Sequence, residues 1–344
     1  MTRSVVIYAP NVHTGGGYVL LKALLLSFDS TLPLILFLDD RVALDCPLQR
    51  VWTLFRVKAT LFGRISAGIK LKTVCRENDL VFCFHGLPPV LAASGRIVVF
   101  LQNRLYLSAA LPKSLGFKTA IRLKYERFVG RAFQYKVSEY IVQTPTMARE
   151  LRIRYRTSCS VRVLPFAEPQ ISNISNSVKA PTWDFIYVAD GVAHKNHMLL
   201  LEAWRILANE GIKPRLALTL GSRDRHLISH VKVMHDNCNV HVVNLGYLDH
   251  HEVLSLYRKC RALIFPSTSE SFGLPLIEAS ACNLPIIAGE LDFVRDVCRP
   301  VQTFDPFSAV SIARAVKRFL EIDEIPLTPA NPSDFWKQLL TSGE

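Results

Sequence analysis

The segment 262–288, ALIFPSTSESFGLPLIEASACNLPIIA, decides the fold class of the chain. It opens with the apolar run ALIF and closes with the apolar run PIIA, and residues 276–281 between them have a helical pattern. Short apolar runs separated by helices are typical of a parallel sheet that is covered on both faces. The segment therefore predicts a strand, a helix and a second strand of such a sheet.

The same alternation recurs along the chain and predicts an α/β fold. The predicted strands are 4–8, 34–38, 80–84, 97–101, 140–143, 185–188, 216–220, 240–244, 262–265 and 285–288, and the predicted helices are 18–28, 197–209, 252–259 and 276–281. Residues 165–183, rich in Pro, Ser and Asn, predict a linker. We expect two doubly wound, Rossmann-like domains, 1–164 and 184–325, and a tail or helix, 326–344, that could pack back on the first domain. In such sheets ligands bind at the carboxyl ends of the strands, so the cleft between the domains is the predicted site.

The composition is that of a folded globular protein, since 49% of the 344 residues are hydrophobic and 20% are charged. No apolar run approaches the roughly 18 residues that a transmembrane helix needs. The first apolar stretch ends at Pro10 and is too short for a secretory signal. The eight cysteines form no CxxC pair, which favours reduced thiols. We therefore expect a cytoplasmic protein.

The positive charge lies in the first half of the chain. Residues 1–164 contain 24 Lys and Arg against 9 Asp and Glu, whereas residues 165–344 contain 17 against 20. Within 113–136 the basic residues alternate with aromatic ones. This pattern suits an anionic membrane surface, and it also suits an ordinary solvated helix face. No nucleic-acid-binding signature accompanies the charge, so nucleic acid is not an expected partner.

Two carboxylates, Glu270 and Glu278, lie on either side of the turn at Gly273. Pro275 suits the first position of the predicted helix, where its missing N–H is harmless, and this places Glu278 in the first turn. Free amides at a helix start can hold a phosphate or a sugar oxygen, and a carboxylate there can accept hydrogen bonds from paired hydroxyls. In the plainer alternative, Glu278 only complements the helix dipole, which is worth about 0.3–1 kcal/mol.

Two other loops follow predicted strands. Lys195, in the segment 189–197 (ADGVAHKNH), precedes a helix, where a cation is unfavourable unless an anion binds nearby. A sugar nucleotide has a diphosphate, which a cation can bind, and hydroxyls, which carboxylates can bind. This domain has one loop with a cation and another with two carboxylates, so the two loops together suit a sugar nucleotide. The triplet Gly15, Gly16 and Gly17 follows the first strand but is not GxGxxG. It predicts either a tight turn or a close approach of a ligand to the backbone.

The stretch from Glu270 to Glu278, ESFGLPLIE, resembles the E-x7-E motif of retaining GT-B glycosyltransferases, the family also called glycosyl transferases group 1. Other stretches that are similar to the family pattern are 243–247, 256–257, 265–267, 285–288 and the pair Lys195 and Asn196. In the first half the resemblance rests on the glycine triplet, the order of elements and 142–147 (VQTPTM). The chain is similar in particular to small transferases of bacterial O-antigen and polysaccharide gene clusters.

The resemblance implies a GT-B fold and a sugar transfer with retained anomeric configuration. The implied donor is a UDP-, GDP- or dTDP-sugar and the implied acceptor is a lipid-linked oligosaccharide or a polysaccharide, with no cofactor and no metal ion. Glu278 would bind the ribose hydroxyls, Glu270 the transferred sugar, and Lys195, beside Asn196, the diphosphate. Lysine and helix amides would then replace a cation at the leaving group. The other donor-side residues implied are Phe272, Gly273, Leu274, Gly15, Gly16 and Gly17.

Two positions depart from the family pattern. Five residues before the lysine, where the family usually has arginine, this chain has Asp190, so Arg223 or Arg225 would have to supply the second positive charge. Where the family often has histidine, this chain has Gln102, which is neither an acid nor a base. His85 is the nearest candidate for a catalytic acid or base, and the alternative is a structural histidine at a strand end. The residues expected on the acceptor side are His13, Gln102, Asn103 and Arg104.

The leading hypothesis is a cytoplasmic sugar transferase of cell-surface polysaccharide synthesis, peripheral to the inner face of the cytoplasmic membrane. The basic first half would meet the anionic surface on which a lipid-linked acceptor lies. Two alternatives stay open. One is an epimerase or a phosphorylase of the same fold, although no pyridoxal-binding lysine site is found. The other is a non-catalytic accessory subunit that keeps only the pocket.

Overall fold

The computed structural model describes residues 4–28, 32–42, 51–91, 94–107, 117–155, 159–167 and 181–324. In the first half of these residues, seven parallel strands form one sheet in the order β3-β2-β1-β4-β5-β6-β7. The strands are β1 Val5–Ala9, β2 Leu34–Asp39, β3 Val51–Val57, β4 Leu80–Cys83, β5 Arg96–Leu101, β6 Glu139–Val142 and β7 Ser160–Val163.

Helices cover both faces of this first sheet. The helices are α1 Gly15–Leu26, α2 Leu61–Val74, α3 Phe117–Ala132 and α4 Pro145–Tyr155, with short 3-10 turns at Arg104–Tyr106 and Gln134–Lys136. Leu21 of α1 packs in one core layer, whereas Leu71, Leu123 and Leu151 of the other three helices pack in the opposite layer. Helices α2, α3 and α4 therefore share one face of the sheet. From β1 to β3 the strands are added toward one edge of the sheet, and from β4 onward they are added toward the other edge. Because each crossover is right-handed, this change of direction places α1 on one face of the sheet and α2, α3 and α4 on the other.

The second half of the chain repeats the architecture with six parallel strands among its described residues, in the order β10-β9-β8-β11-β12-β13. The strands are β8 Trp183–Tyr187, β9 Leu216–Leu218, β10 Val242–Asn244, β11 Cys260–Phe265, β12 Ile286–Gly289 and β13 Gln302–Phe304. The helices are α5 His197–Asn209, α6 Arg225–Cys238, α7 His250–Tyr257, α8 Leu274–Ala281, α9 Asp292–Arg295 and α10 Ala309–Phe319. No helix within the described ranges is both long and apolar enough to cross a bilayer.

The strand–helix–strand unit predicted at 262–288 is present, with β11 and β12 paired in parallel through Leu263 and Ile286. One detail of the prediction was wrong. Because Gly273 takes the left-handed conformation (φ 69°) and caps the helix, α8 begins at Leu274. Pro275 is thus the second helical residue, where a missing N–H is also tolerated, and Glu278 lies in the second turn rather than the first.

The two halves touch through backbone and side-chain groups. The Arg104 N–H donates to Ser271 Oγ at 2.8 Å, and the Thr146 N–H donates to Asp296 Oδ2 at 3.0 Å. The loop after β5 and the start of α4 therefore meet the second domain directly. The exact domain limits, 1–164 and 184–325, stay predictions. Most of the predicted linker and all of the predicted tail, 326–344, lie outside the described residues.

Candidate active site

Asn196 ties together three loops at the carboxyl end of the second sheet. Its backbone is left-handed (φ 62°) between the 3-10 turn Ala193–Lys195 and α5. Its side-chain amide donates to the carbonyl of Pro266 at 3.2 Å and to that of Pro306 at 2.7 Å. These two prolines follow β11 and β13, so the loops after β8, β11 and β13 are held in one arrangement. Asparagine tolerates this backbone conformation better than most residues, which explains its position next to Lys195.

Lys195 and Glu270 form an ion pair at this edge of the sheet. The Lys195 Nζ to Glu270 Oε1 distance is 2.7 Å, and the two side chains are 17% and 12% exposed. Ser267 Oγ donates to the same carboxylate oxygen at 2.6 Å, and the Tyr187 hydroxyl donates to the Lys195 carbonyl at 2.7 Å. Burial raises the pKa of Tyr187 far above its ordinary value, so its hydroxyl stays a donor. Two of the predicted site residues therefore meet directly.

Glu278 has different partners. It is buried on α8, where its Oε2 accepts from the Tyr257 hydroxyl at 3.3 Å and its Oε1 lies 3.3 Å from His250 Nε2. The sequence interpretation missed His250. The capping box of α7, in which Asp249 and Glu252 bond each other's backbone, is readable in the sequence as D-x-x-E and places His250 at the helix start. Its contact with a residue of another helix is not readable there.

The glycine triplet of the first domain faces the turn before α8 across the cleft. A Cβ on Gly16 would lie 3.0 Å from Leu274 Cδ1, and a Cβ on Gly17 would lie 3.5 Å from Gln102 Oε1. Gly15 has φ 68° and begins α1. The triplet thus combines a tight turn with a close approach of backbone to the opposite domain, and a side chain at residue 16 would require Leu274 to shift.

Gln102 and His85 lie behind the triplet. The Gln102 amide donates to the Phe84 carbonyl at 2.8 Å, and His85 Nδ1 donates to the Tyr8 carbonyl at 3.2 Å. Burial lowers the pKa of His85 to about 4. At neutral pH the imidazole is therefore uncharged, its Nδ1 carries the proton, and only Nε2 can accept one. A catalytic role of His85 as acid or base stays a prediction.

Three predicted acceptor-side residues have structural contacts. His13 Nδ1 lies 3.9 Å from Oδ2 of the fully buried Asp39, whose carboxylate is held by Arg41. The Asn103 side chain accepts from the Leu105 N–H at 2.9 Å and caps the following turn. The Arg104 guanidinium binds Glu150, with Nε 3.1 Å from Oε2. Asn103 and Arg104 therefore shape the loop that touches the second domain.

Asp190 lies next to the loop that carries Arg223 and Arg225. A Cβ on Gly191 would come within 2.5 Å of Asp224 Oδ1, so the loop after β8 packs tightly against the loop after β9. Asp190, Arg223 and Arg225 are all exposed. The two arginines therefore lie on a loop that packs next to Asp190, and their role as a substitute charge stays a prediction.

Two Rossmann-like domains that face each other across such a cleft define the GT-B fold. The solved structure of HepE from Anabaena in complex with UDP superposes with a TM-score of 0.67 at 15% identity, over 92% of this chain and 90% of that one. The apo lipopolysaccharide outer core galactosyltransferase WaaB superposes with a TM-score of 0.61 at 14% identity, over 94% and 92% of the two chains. The predicted fold class is confirmed.

Residues 171–331 match the family model of glycosyl transferases group 1. A serotype-specific mannosyltransferase of Escherichia coli, WbdA, is 29% identical over 163 residues, which is 46% of this chain and 20% of the relative. The O-antigen chain mannosyltransferase RfbU of Salmonella typhimurium is 39% identical over 56 residues, 16% of each chain. This chain spans only about a fifth of the E. coli relative. The second half of the chain is thus similar to the glycosyl transferases group 1 family, in agreement with the motif.

Proposed function

We propose that this protein is a retaining glycosyltransferase. It moves a sugar from a nucleotide-sugar donor to a lipid-linked or polysaccharide acceptor in the synthesis of cell-surface polysaccharide of the O-antigen, lipopolysaccharide or capsule type. The observation that carries the proposal is the Lys195–Glu270 ion pair beside the turn before α8, opposite the glycine triplet. The names of the relatives, which are O-antigen and serotype-specific mannosyltransferases, and the UDP in the HepE structure support it.

Each member of the pair keeps capacity for a ligand. An ammonium has three N–H donors, and Glu270 receives one of those of Lys195. Among the described residues, Lys195 and Ser267 donate to the Glu270 carboxylate, and both hydrogen bonds use Oε1. The remaining Lys195 donors and the amides of Phe272, Gly273 and Leu274 would bind the donor diphosphate, and Glu270 Oε2 would accept from a sugar hydroxyl. Glu278 would accept from the ribose hydroxyls.

These roles give a front-face transfer that needs no metal ion. The acceptor oxygen forms its bond to the anomeric carbon as the bond from that carbon to the diphosphate oxygen breaks. The electron pair goes to the diphosphate, whose new charge Lys195 and the α8 amides stabilise. The acceptor hydroxyl proton moves to the leaving phosphate oxygen.

The test is nucleotide release from UDP-, GDP- and dTDP-sugars with and without a lipid-linked acceptor. We expect release that depends on acceptor. Replacing Glu270 by Gln or Lys195 by Ala should lower turnover about 100-fold or more, because each removes a charge at the reacting groups. Glu278→Ala should raise the donor KM about tenfold. The matched control is Glu290→Gln, an exposed carboxylate paired with Arg295, which should leave turnover unchanged.

The same assay separates the alternatives. An epimerase would convert the sugar of the donor without acceptor, and a phosphorylase would need inorganic phosphate. Donor binding with no turnover for any pairing would identify an accessory subunit and refute the proposed transfer. Retention is checked by the anomeric configuration of the product, measured by NMR.

We further propose that the first domain rests on an anionic membrane surface. Helix α3 has an exposed apolar stripe at spacings of four, four and three residues, which lie on one side of a helix. The members of the stripe and their exposed fractions are Phe117 (80%), Ile121 (51%), Tyr125 (57%) and Phe128 (66%). Exposed Arg122 and Lys124 flank it. A basic helix with an aromatic face is typical of interfacial binding.

Helix α2 has a second exposed apolar stripe on the same face of the sheet. It consists of Phe62 (84%), Ile65 (49%) and Ile69 (52%), and the exposed Lys70 and Lys72 lie beside it. Two such helices on one face of the sheet would give the acidic headgroups of a bilayer both charge and apolar contact. The protein would then be peripheral to the cytoplasmic face of the membrane, where a lipid-linked acceptor is accessible.

Vesicle sedimentation tests this surface. The double change Arg122→Glu and Lys124→Glu should release the protein from vesicles that contain about one third phosphatidylglycerol, because each basic residue contributes about 1 kcal/mol. The matched control reverses two exposed lysines of the second domain, Lys213→Glu and Lys259→Glu, and should have little effect. Equal sedimentation of both variants would refute the surface.

A further inference from the structure

The loop that carries Glu270 is anchored at both ends by its own domain. Residues 266–273, called the Glu270 loop below, connect β11 to α8 without helix or strand. The Thr268 N–H donates to the His194 carbonyl at 2.8 Å, and the Thr268 hydroxyl donates to the same oxygen at 3.2 Å. At the other end, the left-handed Gly273 leads into α8. Glu270 lies between these anchors, so its placement also depends on the contacts made there.

The first domain contacts the same loop from across the cleft. The Arg104 N–H donates to Oγ of Ser271, the residue after Glu270, at 2.8 Å. The Arg104 guanidinium lies over the ring of the buried Phe293 on α9, with Cζ 5.8 Å from the ring centroid. At this distance a cation and an aromatic face attract each other. Arg104 therefore joins the first domain both to the Glu270 loop and to α9.

Contacts within the first domain hold Arg104 in this position. Its guanidinium donates to both carboxylate oxygens of Glu150 on α4, with Nε 3.1 Å from Oε2 and Nη2 2.5 Å from Oε1. The Asn103 side chain accepts from the Leu105 N–H at 2.9 Å, and the Arg127 guanidinium donates to the Leu105 carbonyl at 2.8 Å. The turn that presents the Arg104 N–H is therefore fixed on both sides of that residue.

We infer that Arg104 is a positioning residue, which fixes the Glu270 loop when the two domains are together and so places the carboxylate for the transferred sugar. The inference rests on the proposed function, because it assigns Glu270 to that sugar. Separation of the domains would break the hydrogen bond to Ser271. Lys195 would still attract the carboxylate, but the backbone that carries it would be less well fixed. Turnover should therefore respond more than nucleotide affinity.

The variant Ser271→Ala tests the hydrogen bond between the domains without changing a charge. We expect its turnover to fall about fivefold to tenfold and its calorimetric affinity for UDP or GDP to change about twofold at most. Ser271→Thr, which keeps the hydroxyl, should restore most of the turnover. Hydrogen–deuterium exchange of the nucleotide-free protein gives a readout apart from activity. The amides of residues 269–273 should exchange faster in Ser271→Ala and return to slow exchange in Ser271→Thr.

The Arg104 side chain is tested separately. Arg104→Ala keeps the N–H but removes the contacts of the guanidinium with α4 and α9. It should lower turnover about tenfold and also speed exchange in the Glu270 loop, because the turn is no longer held. The matched control is Arg149→Ala, which removes an exposed arginine paired with Asp292 of the second domain, outside the Glu270 loop. This control should change neither turnover nor exchange in the loop.

Two results would overturn the inference and leave the proposed transfer intact. One is turnover and loop exchange that do not change in Ser271→Ala and Arg104→Ala. The other is a raised acceptor KM in Arg104→Ala with unchanged loop exchange, which would assign Arg104 to acceptor binding. Absence of turnover in the unaltered protein with every pairing of donor and acceptor would instead refute the proposed function. The exchange measurement would then still decide whether Arg104 fixes the loop.

Discussion

At the scale of single residues, Asp190 is one point where this chain departs from the pattern of the family that its second half resembles. Asp190 stands where a second cation is expected, and the exposed Arg223 and Arg225 lie in the loop packed against it. We interpret the two arginines as the compensating charge. The close packing of Gly191 against Asp224 supports this interpretation, because it holds the loop of Asp190 next to the loop of the two arginines.

We predict that the double variant Arg223→Ala and Arg225→Ala binds UDP and GDP about tenfold more weakly, since charge-assisted contacts to phosphate are among the stronger hydrogen bonds. Adding Asp190→Arg to this variant should restore part of the affinity. The control is Arg205→Ala, which removes an exposed arginine paired with Glu202 on α5. Calorimetric affinity that does not change in the double variant would refute the compensation.

A buried histidine should make stability depend on pH. Burial lowers the pKa of His197 to about 4, its residue exposure is 2%, and it lies against the Tyr187 ring with a centroid distance of 4.8 Å. As the pH falls below about 6.5, the unfolded chain takes up a proton that the folded chain does not. The folded state should therefore lose up to about 3 kcal/mol as the pH falls from 6.5 to 4.

The variant His197→Phe should lose this part of the pH dependence. The measurement is the free energy of unfolding in urea at several pH values, each relative to the same variant at pH 8, so that any packing cost of Phe cancels. If the free energy of unfolding changed with pH in the same way for the unaltered protein and for His197→Phe, His197 would be protonated equally in the folded and unfolded states.

At the scale of elements, Gly273 determines where α8 begins. Its φ of 69° and the 3.1 Å distance from an added Cβ to Leu276 Cδ1 both oppose a side chain. Gly273→Ala should cost about 1–2 kcal/mol of stability and should also abolish nucleotide binding, because the α8 amides would shift. Gly211→Ala is the control: its φ is 80° but its added Cβ meets nothing within 4 Å, so it should cost stability without affecting binding.

The central strands were predictable from sequence, and most of the edge strands were not. β1, β8 and β11 are buried on both faces and read as continuous apolar runs. The strands that the pattern missed, β3, β7 and β13, are all at the edge of a sheet, where half-exposed positions admit polar residues. In β3 (VWTLFRV) and β7 (SVRV), polar residues interrupt the apolar run, so the sequence pattern does not indicate a strand. The edge strand β10 was predicted because VHVVN keeps its apolar run.

The candidate site was predictable only where chain order, and not tertiary packing, sets the position of a residue. Lys195 and Glu270 lie in strand-to-helix loops and Glu278 lies in the helix after the second of these loops, so their positions follow from chain order alone. His250 belongs to the same site only because α7 and α8 pack together, which is a tertiary contact. Likewise, the capping of α4 by Asp296 of the other domain has no local sequence signal.

At the scale of the whole molecule, the hydrogen bond from the Thr146 N–H to Asp296 should affect how closely the two domains approach each other. The Asp296 carboxylate accepts from an N–H in the first turn of α4 in the other domain, a contact worth about 1 kcal/mol by the usual capping scale. Asp296→Ala should shift the domains apart, raising the donor KM about threefold to fivefold. Small-angle scattering with bound nucleotide should give a larger radius of gyration. The control is Asp292→Ala, whose exposed pair with Arg149 should contribute little.

The Lys195–Glu270 pair has one more consequence, for how a donor arrives. An ammonium already joined to a carboxylate projects little field beyond the cleft, so a diphosphate is not drawn in from afar. The pair itself should then add little to the dependence of association on ionic strength, which would come from exposed cations such as Arg223 and Arg225. Recognition by Lys195 would begin only on contact, when the incoming phosphate takes the ammonium donors that the Glu270 carboxylate leaves open.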